Sequence, residues 1–226
     1  MSTRPAPLFA KAMFVFSLAL LVIVGMFYAE AGSEPSSADS LHLTQADWQT
    51  TDGSGFQAPP STFDSASLPN VWQHAALPYA PPIALLRQAG AKAQSRAVHT
   101  TWLRIAVPAS PVQSGPLALY GVRIKTDGTI AVYVNGRLVH RAQERGPLWN
   151  STRTPLWVAL DEPGDDEPVR EILLRLEHTQ GTQVAVSSLW LGPIDALKGR
   201  YNIRQWLQQE LPAVLSAAFL AIGIFA

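Results

Sequence analysis

The sequence predicts a mainly β protein: a β-sandwich set between two apolar segments. Three observations carry this reading. From Thr101 to Leu191, apolar and polar residues alternate in short runs, the period of half-buried strands. Turn-forming dipeptides, Asp127-Gly128, Asn135-Gly136 and Gly192-Pro193, punctuate those runs. Eighteen prolines, fifteen glycines and seven tryptophans favour many turns and short strands over a helical bundle. The apolar segments add an expected N-terminal transmembrane helix and a C-terminal helix entering a truncated transmembrane span.

Residues 1–11 are expected to be cytoplasmic, followed by a signal-anchor helix over 12–29, which carries no charge. Arg4 and Lys11 precede it and Glu30, Glu34 and Asp39 follow, so the rest of the domain is exported. Ala29-Glu30-Ala31 would also suit signal-peptide cleavage, but the apolar run exceeds the usual length for that. Residues 32–100 read as a polar linker and an irregular first part of the exported domain, with Trp48 and Trp72 as apolar anchors and an extended Leu77–Pro82. Residues 83–93 fit a short helix or an excursion equally well.

The sandwich proper is expected over 101–193. Leu103, Ile105 and Val107 fall on one strand face, and Trp102, Arg104 and Ala106 on the other. Runs at 117–124, 129–134, 137–140, 155–160, 171–178 and 184–191 repeat the pattern, making about seven or eight strands. Asn135-Gly136 asks for a two-residue hairpin with positive φ at both positions. Residues 195–211 carry helix formers and read as a juxtamembrane connector, with Tyr201 and Trp206 placed for a membrane interface. Residues 212–226 begin a second span. Fifteen residues of helix rise roughly 22 Å against a ~30 Å hydrocarbon core, so the chain is expected to be the front of a larger membrane protein. Lys198, Arg200 and Arg204 then lie on the outer side, against the usual charge bias.

Composition excludes several chemistries. The formal net charge is zero, so no nucleic-acid partner is expected. Without cysteine there is no disulfide, thiolate ligand or thiol nucleophile. The acidic run Asp161–Glu167 holds Pro and Gly between two strands and reads as a solvated loop, not a glycosidase carboxylate pair. The five histidines show no H-x-x-x-H or H-E-x-x-H spacing, and neither a G-x-S-x-G elbow nor a Walker loop occurs. No catalytic residue, metal or cofactor is expected in this segment.

One group stands out as a candidate ligand site. Arg137, His140 and Arg141 precede Trp149 and Asn150, and Trp157 follows. Aromatic faces and amide or guanidinium donors are what a sugar ring needs, with its apolar face and hydroxyl edges; arginine forks alone would suit an anion. The competing reading makes Trp149 and Trp157 sandwich core and the arginines solvated decoration. Trp102 and Arg104 share a strand face, as ligand contacts or as a cation–π packing pair.

The order of these pieces resembles known families. The Trp102-Leu103-Arg104 strand, Ala131-Val132-Tyr133-Val134-Asn135-Gly136-Arg137-Leu138-Val139, Trp149-Asn150, Pro155-Leu156-Trp157-Val158 and a last strand ending Leu191-Gly192 resemble the galactose-binding-like jelly roll of family 2 glycoside hydrolases. With Ala46-Asp47-Trp48, Tyr201-Asn202-Ile203-Arg204 and the two apolar segments, the chain looks like the periplasmic sensor region of bacterial 7TM-type membrane sensor histidine kinases. The resemblance implies a sensory input module at the inner membrane, a homodimer through the parent protein and a carbohydrate or other small ligand. Its output would be a histidine kinase or a diguanylate cyclase. A membrane-anchored carbohydrate-binding module without signalling is the alternative.

Overall fold

The computed structural model describes residues 17–26, 40–53, 56–80, 98–109, 115–142, 154–160, 168–179, 181–182 and 184–225. The chain divides into two compact units, Pro35–Tyr201 and a helical unit of Met1–Glu34 with Asn202–Ala226.

The first unit is a two-sheet β-sandwich, consistent with a jelly roll. Its strands are β1 (Leu41–Leu43), β2 (Gln45–Gly53), β3 (Gln73–Ala76), β4 (Val98–Ala106), β5 (Leu117–Gly121), β6 (Ile124–Lys125), β7 (Ile130–Val134), β8 (Arg137–Ala142), β9 (Leu156–Ala159), β10 (Glu171–Thr179), β11 (Ala185–Val186) and β12 (Leu189–Pro193). A four-stranded sheet runs β1-β12-β5-β9, a six-stranded sheet β3-β2-β4-β10-β7-β8, and β6 pairs with β11. All the paired strands are antiparallel.

The alternation explains the packing between the sheets. Leu103, Ile105 and Val107 enter the core together with Val132, Ile172 and Leu174 from their own sheet and Leu119, Leu189 and Leu191 from the other. Each such side chain, fully buried, contributes about 1.5–3 kcal/mol relative to exposure. Asn135 and Gly136 take φ values of 47° and 83°, as the hairpin between β7 and β8 demands. Asn135 does more than turn: its Oδ1 accepts from Arg170 N (2.9 Å) and Glu171 N (3.2 Å), fastening the start of β10.

The expectation of an irregular first part is corrected. β1 closes one edge of the four-stranded sheet against β12, while β2 pairs with both β3 and β4 inside the six-stranded sheet. The Gln45–Gly53 run mixes polar and apolar residues, so its periodicity is weak; pairing along β4 makes it a strand. Trp48 does pack on the core, and Trp72 on a second apolar cluster. Leu77–Pro78 is a cis peptide, and Leu77 is buried. The excursion at 83–93 lies outside the described residues.

The connector is helical: α2 (Ile194–Gln205) follows β12, after a helix α1 described over 17–26. A π-helical turn, Trp206–Glu210, leads into α3 (Leu211–Phe225). Pro212 lacks the N–H that would bond four residues back and its ring crowds that carbonyl, which accounts for the widened turn. Leu211 N–H reaches instead to the Trp206 carbonyl, five residues back. Val24, Ile203, Trp206 and Leu215 pack on Leu207 and Leu211.

Among the described residues no helix is long and apolar enough to cross a membrane. The expected span over 12–29 lies partly outside the described residues, at 12–16 and 27–29.

Candidate functional site

The two outer faces of the sandwich are both covered, and they differ in chemistry. On the four-stranded sheet, register places one ring on each strand in a single row: His42, Trp190, Tyr120 and Trp157. His42 stacks on Trp190 at 4.4 Å, and α2 lays Tyr201 against Trp157 at 5.0 Å. Leu197 completes this cluster.

On the six-stranded sheet the corresponding row reads Gln49, Trp102, Arg175, Ala131 and Arg141. A neighbouring row holds Asp47, Arg104, Leu173, Tyr133 and Leu138. The chain from Phe56 to Trp72 covers part of this face. Phe63 stacks on Trp102 at 4.4 Å and 17°, and Leu68 and Trp72 join the same cluster. The Phe63 N–H donates to the Gly136 carbonyl (2.7 Å), and Asp64 caps a 3-10 turn at Ser65–Ser67.

Under that cover lies a buried ion pair. Arg175 Nη2 meets Glu177 Oε1 at 2.6 Å, with side chains 8% and 1% exposed. The Gln57 backbone closes the group: its N–H donates to Glu177 Oε1 (3.0 Å) and its carbonyl accepts from Arg175 Nη1 (3.1 Å). The guanidinium also stands 5.9 Å from the Trp102 ring centre, and the Trp102 indole N–H donates to Thr51 Oγ1 (3.1 Å).

Hydrogen-bonding capacity is left over. Glu177 Oε2, the Tyr133 hydroxyl and both amide atoms of Gln49 have no partner, and Gln49 is only 2% exposed. Buried groups of this kind cost free energy when unpaired, so these four atoms call for water or a ligand that satisfies them; on the four-stranded sheet, His42 Nε2 and Trp190 Nε1 are likewise buried without a partner. Burial pushes the Tyr133 phenol pKa up; the Arg175 charge opposes this and that of Glu177 adds to it.

Beside this group, Arg104 binds Asp47 Oδ2 (3.1 Å) and lies 4.5 Å over Trp72. The His74 hydrogen bond to Asp47, then Arg104, hold that carboxyl below its ordinary range against the opposing effect of desolvation. Trp102 and Arg104 thus share a face as expected, but their cation–π partners are Arg175 and Trp72, not each other.

The other sequence-derived candidates are dispersed. Arg141 is exposed on the edge strand β8, in the Trp102 row. Arg137 lines a separate groove of about 600 Å³ with Phe63, Asp64, Asn135 and Glu171. His140 stands opposite Val132, a core residue, and burial lowers its pKa. Trp157 is on the other sheet, half-buried in the ring row beneath α2. Trp149 and Asn150 lie outside the described residues. Gln49, Tyr133, Arg175 and Glu177 were not among the sequence candidates. In Glu171–Thr179 the pattern puts Arg175 and Glu177 on the face opposite the core, which reads as solvent; only Leu173 on that same face hints at a cover. Among the described residues no group of three His, Asp or Glu is arranged to hold a metal ion.

No family model matches the chain, sensor kinases included, and no curated protein matches it. Among solved structures it is similar to a PA14 sugar-binding domain from an RTX adhesin, at 13% identity and a TM-score of 0.27 over 42% of this chain and 45% of that one. It is similar to Faecalibacterium prausnitzii β-glucuronidase, at 17% identity and a TM-score of 0.40 over 65% of this chain and 22% of that one. It is also similar to a GH2 β-galacturonidase from Eisenbergiella tayi, at 13% identity and a TM-score of 0.38 over 72% of this chain and 26% of that one. The chain thus spans less than half of the adhesin domain chain and about a quarter of each enzyme. The fold assignment rests on the two sheets themselves.

Proposed function

We propose that this chain is a carbohydrate-binding sandwich acting as the periplasmic input region of a membrane signalling protein. The finer reading is a sensor histidine kinase of the bacterial inner membrane, dimeric through its parent chain. The observation that carries the binding role is the outer face of the six-stranded sheet. There an indole, a guanidinium, a carboxylate and a carboxamide lie together, buried, with hydrogen-bonding atoms unspent. A pyranose offers an apolar face to Trp102 and hydroxyls that both donate and accept. Phe63 now occupies the place of that apolar face, so binding displaces the 61–72 cover. Much of that cover is exposed; Phe63, Leu68 and Trp72 are its partly buried apolar holds, and its hydrogen bonds to Gly136, Leu138 and Glu171 are what lifting it must break.

The membrane role is supported by the helical unit. Leu18, Leu21, Val22, Ile23 and Met26 on α1, and Val214, Phe219 and Leu220 on α3, are large apolar side chains left exposed. Such a concentration suits a lipid environment better than water. Signalling requires that the ligand bind one conformation more tightly than another, here the one with the cover lifted.

Calorimetric titration of the detergent-solubilised chain with a panel of monosaccharides tests the binding role, with Gln49→Leu as the matched variant. A sugar that binds the wild type and loses at least about tenfold in affinity with the variant, roughly 1.4 kcal/mol, supports the site. Binding unchanged in a folded Gln49→Leu protein moves the site elsewhere. No binding of any sugar leaves the unspent atoms to ordered water and sinks the carbohydrate reading.

A further inference from the structure

We infer that the outer face of the six-stranded sheet selects uncharged, hydroxyl-rich ligands against acidic ones, and that Glu177 is the residue that selects. The inference rests on the carbohydrate reading above and concerns which sugars the face takes. Its basis is how the charges on this face are spent. Arg104 is committed to Asp47, and Arg175 to Glu177 and the Gln57 carbonyl. Both guanidiniums are thus neutralised by carboxylates of the protein, in forks that would otherwise receive a ligand carboxylate. Arg141, in the same row as Arg175, stands two strands away, about 10 Å, and is exposed to solvent where salt screens it.

The atoms left unspent are of another kind. Glu177 Oε2 accepts only, and it belongs to a carboxylate that is 1% exposed. Gln49 offers one oxygen and one nitrogen, and Tyr133 a hydroxyl. Sugar hydroxyls can donate to Glu177 Oε2 and to Gln49 Oε1 and accept from Gln49 Nε2. A uronate carboxylate can donate to neither oxygen. It would bring a second negative charge against Glu177 in surroundings where desolvation is costly and where, among the described residues of this face, the screened Arg141 is the cation left to oppose it.

The experiment titrates the full detergent-solubilised chain with D-glucose and D-galactose and with D-glucuronate and D-galacturonate, on the wild type and on Glu177→Gln. The wild type is expected to bind the better neutral sugar at least about tenfold more tightly than its uronate, a gap of roughly 1.4 kcal/mol. Glu177→Gln is expected to narrow that ratio by admitting the uronate. Equal or tighter uronate binding by the wild type overturns the selectivity and leaves the carbohydrate reading standing. A ratio unchanged in a folded Glu177→Gln protein removes Glu177 from the role. No binding of either class overturns the carbohydrate reading and this inference with it. Should Glu177→Gln fail to fold, as far-ultraviolet circular dichroism would report, the wild-type ratio decides the selectivity and Tyr133→Phe, which keeps the ion pair, tests the site.

Discussion

The two covered faces of the sandwich solve the same packing problem with opposite chemistry. The four-stranded sheet presents His42, Trp190, Tyr120 and Trp157 in one row and lies under the α2 side chains Leu197 and Tyr201. The six-stranded sheet presents Gln49, Trp102 and Arg175 in its row and lies under an irregular chain. A helix satisfies its own backbone and can offer a dry stripe of side chains. An irregular segment has backbone groups to spare, and here Gln57 spends two of them on a buried ion pair. The first arrangement is mostly aromatic and aliphatic and holds no ion pair, although His42 Nε2 and Trp190 Nε1 are buried in it without a partner. The second retains polar groups that stability does not require, since a buried pair rarely outperforms well-packed apolar residues.

The largest expected effect breaks the polar face. Arg175→Met leaves Glu177 charged, buried and unpaired, and should cost about 3–5 kcal/mol in chemical denaturation. Arg175→Met with Glu177→Leu should recover most of that loss. If the double variant is as unstable as the single one, the pair is structural and the contrast between the faces fails. Next, Leu197→Ala on the dry face should cost about 2–5 kcal/mol, because Leu197 is fully buried between α2 and the ring row. Sugar affinity should stay unchanged in that variant; a parallel loss would mean that the two faces are not independent.

A smaller effect of opposite sign sharpens the comparison. Tyr133→Phe removes a buried hydroxyl without a partner and should leave stability unchanged or raise it by up to about 1 kcal/mol. A clear loss of stability would show that the hydroxyl is already satisfied. The smallest effect concerns pH. Burial holds the pKa of His178 and His140 below the ordinary value of 6.5 in the folded state. Below that value the unfolded chain binds protons that the folded chain refuses. Their contribution is therefore complete above about pH 6.5 and is lost as pH falls through the lowered pKa values. Melting temperature should drop between pH 7.5 and 5.5, and His178→Gln should flatten the drop. An unchanged slope would assign the acid sensitivity elsewhere.

The inner faces were readable from residue order because they need only a period of two. Leu103, Ile105 and Val107 alternate with Trp102 and Arg104, and the core takes the first set. The hairpin was readable because positive φ at two adjacent positions suits few pairs besides Asn-Gly. The β2 strand was missed: polar residues fill most of its positions, and pairing with β4, about fifty residues on, makes it a strand. The candidate site was only partly readable. Trp102 and Arg104 were placed on one face, whereas Trp157, grouped with the β8 arginines by proximity in sequence, belongs to the opposite sheet.

What residue order alone determined is therefore local: which stretches alternate, where the chain reverses, which side chains of a strand lie together, and where the apolar segments are. Tertiary structure decided what covers each face. Arg175 and Glu177 alternate just as solvent-facing residues do, and only the return of Phe56–Trp72 across the sheet makes them a buried pair. Strand period reports which side of a sheet a residue occupies. Whether water or protein lies on that side depends on contacts between segments as far apart as Gln57 and Glu177.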